Sequence, residues 1–143
     1  MKESTFTSHI ARYIRESFAT PVVVVKYHDI VTAGVPDLSV SFQGRTIFFE
    51  TKSVERLTEL RKKIDQRQLA FLMLLERTGV PVWYVISYRL GEAYRIAVMS
   101  PHDVWVWHRT KKILWRTNRF GATLSDDLTW LVGRYVRMNP EDK

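Results

Sequence analysis

The chain contains no cysteine. Disulfides, thiolate nucleophiles and cysteine-built zinc or iron–sulfur sites are therefore excluded, while every redox compartment stays compatible. Long hydrophobic runs are also missing, and nothing approaches the roughly 20 apolar residues that a membrane span needs. The opening residues, Met1-Lys2-Glu3-Ser4-Thr5, lack the apolar stretch of a secretory signal, so a location in the cytoplasm or nucleoid is expected. Histidines are few and scattered: His9, His28, His102 and His108 show no zinc-ligand spacing. Ser39 and Ser41 have no His and Asp at convincing positions, which leaves no acyl-transfer triad. Acidic residues are in deficit. Against 22 Lys and Arg stand 15 Asp and Glu, giving a formal net charge of +7 and a pI of about 9.9. That excess points to a polyanionic partner, nucleic acid first, although ordinary solubility charge would look the same.

What is present supports a folded protein. A length of 143 residues and a hydrophobic fraction of 45% suit one domain around one core rather than disorder. No repeat, low-complexity tract or linker divides the chain, so residues 1–138 read as a single domain and 139–143 as a loose tail. Phe6, Ile10, Tyr13 and Ile14 recur at helical spacing. Val22 to Val25 is an unbroken β-branched run and reads as a buried strand. Leu38, Val40 and Phe42 alternate with polar residues before Gln43-Gly44, and a second strand follows through Glu50. Residues 57–78 read as one helix closed by Gly79 and Pro81. Two more strands are predicted over 82–88 and 94–99. A short helix then begins at Ser100-Pro101 and runs through Asp103, and a last helix begins at Ser125-Asp126-Asp127. The expected fold class is α/β, a central sheet flanked by helices in the order αβββαβ, with a further C-terminal strand and helices.

Strand register brings chemistry into the reading. If Gln43-Gly44 is a two-residue hairpin loop, Phe42 faces Arg45, Val40 faces Ile47, Leu38 faces Phe49, and Asp37 faces Glu50. Directly opposed residues have Cβ atoms roughly 4.5–5.5 Å apart, so the turn delivers two carboxylates to one spot. Alternation puts Lys52 on the Glu50 side. Opposed like charges need a positive partner, and a hard divalent cation fits carboxylate oxygens. An exposed hairpin end with solvated charges, or a plain Glu–Lys pair, would satisfy the same spacing. Glu3 lies on the helical stripe of Phe6, Ile10 and Ile14 and so points towards the sheet, whereas Glu16 falls on nearly the opposite face. It reads equally as a ligand candidate or as a favourable acid in a first helical turn.

Gly34-Val35-Pro36-Asp37, a hairpin, and then Glu50-Thr51-Lys52 together resemble the PD-(D/E)xK nuclease superfamily, most closely its VRR-NUC and Holliday-junction-resolvase branches. The resemblance covers about residues 3 to 88. Glu3 matches the early helical Glu, Lys26 the basic residue before the loop, and Gln68, eleven residues before Gly79, the later helical Gln. It implies a restriction-endonuclease-like core and Mg²⁺-dependent phosphodiester hydrolysis, with Mn²⁺ as a substitute. Asp37, Glu50, the Thr51 carbonyl and Glu3 would hold the metal, Lys52 would orient water or stabilise developing charge, and Gln68 would hold water, the lysine or a phosphate. It also implies DNA as partner, a homodimer for a two-fold junction, and a place in DNA recombination or repair. A compact nuclease of this kind would suit a phage.

The stretch 104–125 has no acidic residue, and its part 104–120 matches no motif of that family. Trp105, Trp107 and Trp115 alternate there with Arg109, Lys111, Lys112, Arg116 and Arg119. Stacking on unpaired bases is one use of such tryptophans; packing into the core or a dimer interface is the favoured one. The basic residues suit phosphate contact, together with Lys26, His28, Arg61, Lys62, Lys63 and Arg67. Three functions compete: a metal-dependent endodeoxyribonuclease, with branched DNA preferred over duplex, flap or single strands; a catalytically inactive nucleic-acid-binding module; and an interaction protein whose basic face meets an acidic partner.

Overall fold

The computed structural model describes residues 2–17, 21–27, 34–110 and 116–119, the last of these for its backbone alone. The first helix, α1 (Glu3–Ser17), is built on the stripe that the spacing predicts. Phe6, Ile10 and Ile14 are fully buried, with Ala11 beside them. They pack on one face of a sheet, against Leu38, Val40, Phe42, Ile47 and Phe49.

That face is set by a hairpin of β2 (Leu38–Phe42) and β3 (Arg45–Ser53). Its register pairs Leu38 with Phe49, Val40 with Ile47 and Phe42 with Arg45, as the two-residue turn requires. Gln43 and Gly44 have φ of 49° and 75°. Positive φ at both turn positions gives the twist that matches the flanking strands.

The strand before it, β1 (Val23–Lys26), pairs antiparallel with β2 at the edge of the sheet. Here the buried-strand expectation is wrong. Val23 is 60% and Val25 42% exposed, and only Val22 and Val24 reach the core under α1. A β-branched run favours a strand but does not say whether both its faces will be covered.

The remaining strands are β4 (Val82–Leu90), β5 (Ala93–Met99) and β6 (Arg116–Arg119), and the sheet runs β1-β2-β3-β4-β5-β6. Among the described strands only β3 and β4 are parallel; the other pairings are antiparallel, so the sheet is mixed. A parallel pair needs a crossover, and this one carries helices over the face opposite α1. The expected single helix over 57–78 is in fact three pieces: a 3₁₀ turn (Leu57–Glu59), α2 (Leu60–Lys63) and α3 (Gln66–Arg77). The break falls where Ile64 and Asp65 turn extended and the Asp65 carboxylate accepts from the amides of Arg67 (2.8 Å) and Gln68 (3.2 Å). Asp is a poor interior helix residue and a strong N-cap, so it restarts the helix. Leu60, Ile64, Leu69 and Leu72 from this crossover form a second core with Val82, Tyr84, Ile86 and Met99.

The helix expected to end at Asp103 is longer. As α4 (Pro101–Thr110) it takes in the first half of the tryptophan-rich stretch, capped by a bond from the Asp103 amide to Ser100 Oγ (3.1 Å). Trp107 is buried in the second core, in line with the packing reading, and Trp105 lies at its margin. No strand was expected at 116–119, yet β6 pairs there with β5. The final helix, Trp115 and the tail at 139–143 lie outside the described residues. No helix among the described residues is long and apolar enough to cross a membrane.

Gly34 opens the loop into β2 with φ of 96°, and a Cβ placed there would meet the Phe71 side chain of α3 at 3.0 Å. Gly34→Ala therefore combines a disfavoured backbone with a clash, and should cost more than about 1 kcal/mol of stability. Asp65→Ala removes the α3 cap and should cost about 1 kcal/mol. Urea denaturation read by circular dichroism checks both values.

Candidate metal centre

Four side chains from three parts of the chain converge at one end of the sheet. Glu3 comes from the first turn of α1, Asp37 from the residue before β2, and Glu50 and Lys52 from β3. Glu50 and Lys52 are buried because β3 lies inside the sheet, with β2 on one side and β4 on the other. Glu3, Asp37 and Glu50 each offer a carboxylate oxygen, and these oxygens lie within 4.8 Å of one another. The Lys52 ammonium is 3.0 Å from Glu50 Oε2 and 3.9 Å from Glu3 Oε1. Glu3 is at once the acid of the first turn of α1 and a member of this cluster, so its placement fits both readings of it.

Asp37 is held on both sides. Its Oδ2 accepts from the Thr51 amide (2.9 Å) and the Thr51 hydroxyl (2.8 Å), and its carbonyl accepts from the Tyr27 amide (2.8 Å). The Thr51 hydroxyl in turn meets that of Thr7. Sequence reasoning assigned Thr51 a carbonyl role only and missed both hydroxyls. Thr7 had a readable signal, since it sits one helical turn after Glu3 on the same side of α1. Gln68 lies in the first turn of α3 with its side chain in hydrogen-bonding reach of Glu50.

The electrostatics show what the cluster lacks. Burial, the largest effect, raises the Glu50 pKa to about 7; Asp37 adds to the rise, and Lys52 opposes it. Glu3 is also raised, again by burial first, with Asp37 adding and Lys52 and Lys63 opposing. For Lys52, burial pulls the pKa down, but Glu50, Glu3 and Asp37 outweigh it and hold the ammonium above its ordinary value. Three carboxylates against one ammonium leave a formal charge of −2, the charge that one divalent cation neutralises. An all-oxygen donor set suits Mg²⁺ or Mn²⁺ rather than a soft metal. Among the described residues Glu50 Oε1 is buried without a hydrogen-bond partner. Glu3, Asp37 and Glu50 thus form a set that can hold such an ion.

The candidate nucleic-acid contacts divide. Lys63, with Arg61 and Lys62 on α2, stands beside the acidic cluster, close enough for its charge to act on Glu3. Arg67 is exposed at the start of α3. Lys26 is exposed on β1, but its ammonium is directed to Ser8 Oγ at 3.3 Å. Arg109 lies away on α4, its guanidinium 4.4 Å from the Trp105 ring centre, a cation–π contact. His28, Lys111 and Lys112 fall outside the described residues, as do the side chains of Arg116 and Arg119.

No family model matches the chain, and no curated protein matches it. Among solved structures, that of Hjc, a Holliday junction resolvase from the archaeal hyperthermophile Archaeoglobus fulgidus, is similar. It has a TM-score of 0.51 over 86% of this chain and 91% of that one, at 8% sequence identity. At that identity the likeness is one of fold: a mixed sheet with flanking helices, the restriction-endonuclease-like architecture that the sequence led us to expect.

Glu50 gives the centre a pH signature. Its folded-state pKa, about 7, lies above its ordinary 4.5. In the metal-free protein the resulting contribution to stability is fully present below 4.5 and is lost as pH rises through 7. Thermal melting in chelator should fall over that window, and Mg²⁺ or Mn²⁺ should restore stability at its upper end. Glu50→Gln should flatten this part of the profile; identical profiles for the two proteins would count against it.

Proposed function

We propose that the chain is a divalent-metal-dependent nuclease of the PD-(D/E)xK type that hydrolyses phosphodiester bonds in DNA, with branched DNA of the Holliday-junction kind as its preferred substrate. The observation that carries this reading is the meeting of Glu3, Asp37 and Glu50 oxygens within 4.8 Å, with the Lys52 ammonium 3.0 Å from Glu50. Support for a nucleic-acid substrate comes from the net charge of +7 and from Lys63 beside the cluster. Support for the branched form comes from the fold shared with a Holliday junction resolvase.

In this mechanism Asp37, Glu50 and Glu3 hold the cation, with the Thr51 carbonyl as a further donor. The bound ion would supply activation of water and neutralisation of phosphate charge. Thr51 fixes the plane of the Asp37 carboxylate before substrate arrives, so little reorganisation is needed at the reacting phosphate. Lys52 stays protonated among three carboxylates and places a positive charge where negative charge grows on the phosphate oxygens. Gln68 steadies Glu50. The exposed cations Arg61, Lys62, Lys63 and Arg67 attract the DNA backbone. A two-fold junction needs two such sites, which calls for a symmetric homodimer.

Labelled four-way junctions should be cut in Mg²⁺ or Mn²⁺ and left whole in chelator. Asp37→Asn and Lys52→Ala should each slow cleavage about a hundredfold or more while junction binding persists. Faster cutting of duplex, flap or single strands would move the substrate assignment. DNA left intact under every condition, but still bound, would replace the nuclease with a binding module.

A further inference from the structure

Among the described residues, three polar atoms beside the acidic cluster are buried and unpartnered: Glu50 Oε1, Gln68 Oε1 and the Tyr84 hydroxyl. Glu50 and Tyr84 are opposite one another across the parallel β3–β4 pairing, so both side chains rise from the same face of the sheet. On that face α3 lies above them and brings Gln68 to Glu50. Tyr84 is 0% exposed and Glu50 2%. Burial first, then the charges of Glu50 and Asp65, push the Tyr84 phenol well above its ordinary value. The phenol is therefore a permanent donor that feels the Glu50 carboxylate.

A buried hydroxyl or carboxylate oxygen without a partner costs folding free energy, and such groups are almost always satisfied by protein or by enclosed water. The inventory is two acceptors and one donor. A direct bond from the phenol to Glu50 would satisfy one acceptor and strand the other. A single water accepts once and donates twice, which accounts for all three atoms.

We propose that Tyr84 is a positioning residue for Glu50: its hydroxyl donates to one enclosed water, which donates in turn to Glu50 Oε1 and Gln68 Oε1. The carboxylate is then locked with Oε2 towards Lys52, and rotation away from Glu3 and Asp37 is opposed. The inference rests on the metal-site reading of Glu50. Tyr84 touches neither metal nor substrate in this arrangement; it acts through the carboxylate.

Tyr84→Phe removes the hydroxyl and keeps the ring, so it separates this role from packing. In chelator, Tyr84→Phe should lower the folding equilibrium constant about tenfold, because a charge-assisted network loses its donor. In titration calorimetry its dissociation constant for Mn²⁺ should rise about tenfold or more, as for other outer partners of metal ligands. Mn²⁺ should also produce a tyrosine difference absorbance in the wild type that Tyr84→Phe abolishes. Should Tyr84→Phe not fold, Gln68→Met provides the second case, with weaker Mn²⁺ binding and a changed tyrosine band expected. Unchanged Mn²⁺ affinity in the folded variant overturns the proposal and leaves the metal site standing. A variant as stable as the wild type without metal overturns it as well. Wild-type protein that takes up no Mn²⁺ removes the metal site itself, and this proposal with it.

Discussion

Register in the β2–β3 hairpin is the constraint on which the rest depends. Side chains alternate along a strand, so a slip of one residue would exchange the two faces of β3. Phe49 and Ile47 would leave α1, and Glu50 and Lys52 would enter an apolar core. Gln43 and Gly44, both at positive φ, exclude that slip by closing the turn in two residues. The same turn thus builds a hydrophobic layer on one side of the sheet and aligns charge on the other. Stability and the candidate chemistry share a single geometric cause, which is why the site lies within a packed structure rather than on a loop.

Burial gives those charges their character. On an exposed hairpin, Glu50 and Lys52 would form a surface pair of little consequence. Inside the sheet, Glu50 is deprived of water, and its cationic partner Lys52 also serves Glu3. The metal-free cluster is therefore an incomplete electrostatic arrangement, held in place by the two cores on either side of the sheet. Thr51 bridges those sides, since its backbone belongs to the central strand while its hydroxyl joins α1, through Thr7, to Asp37.

Local chemistry was readable from the residues, and long-range placement was not. The hairpin, its pairing and the α1 stripe follow from turn residues and periodicity. Asp37, Glu50 and Lys52 could be put together because two strands and a two-residue turn have almost no freedom. The exposure of β1 could not be read, because Val22 to Val25 has the same composition at an edge as in a centre. The break before α3 was legible in principle: Asp65 followed three residues later by Gln68 is an N-terminal signature, but the apolar spacing around it ran on and hid it. Tyr84 left no signal of its own, since its position opposite Glu50 depends on a parallel pairing made across a long crossover. Among the tryptophans, Trp107 followed its apolar spacing into the core.

The contact between Gly34 and Phe71 carries a lesson for anyone reshaping this protein. Phe71 is partly exposed on α3, and a solubility screen would count it among the positions to replace by something polar. Yet the ring is the wall against which the Gly34 backbone rests, three residues ahead of Asp37. Trimming it would leave the loop unsupported at the point where it turns into the site, so this exposed aromatic is one that redesign should leave alone.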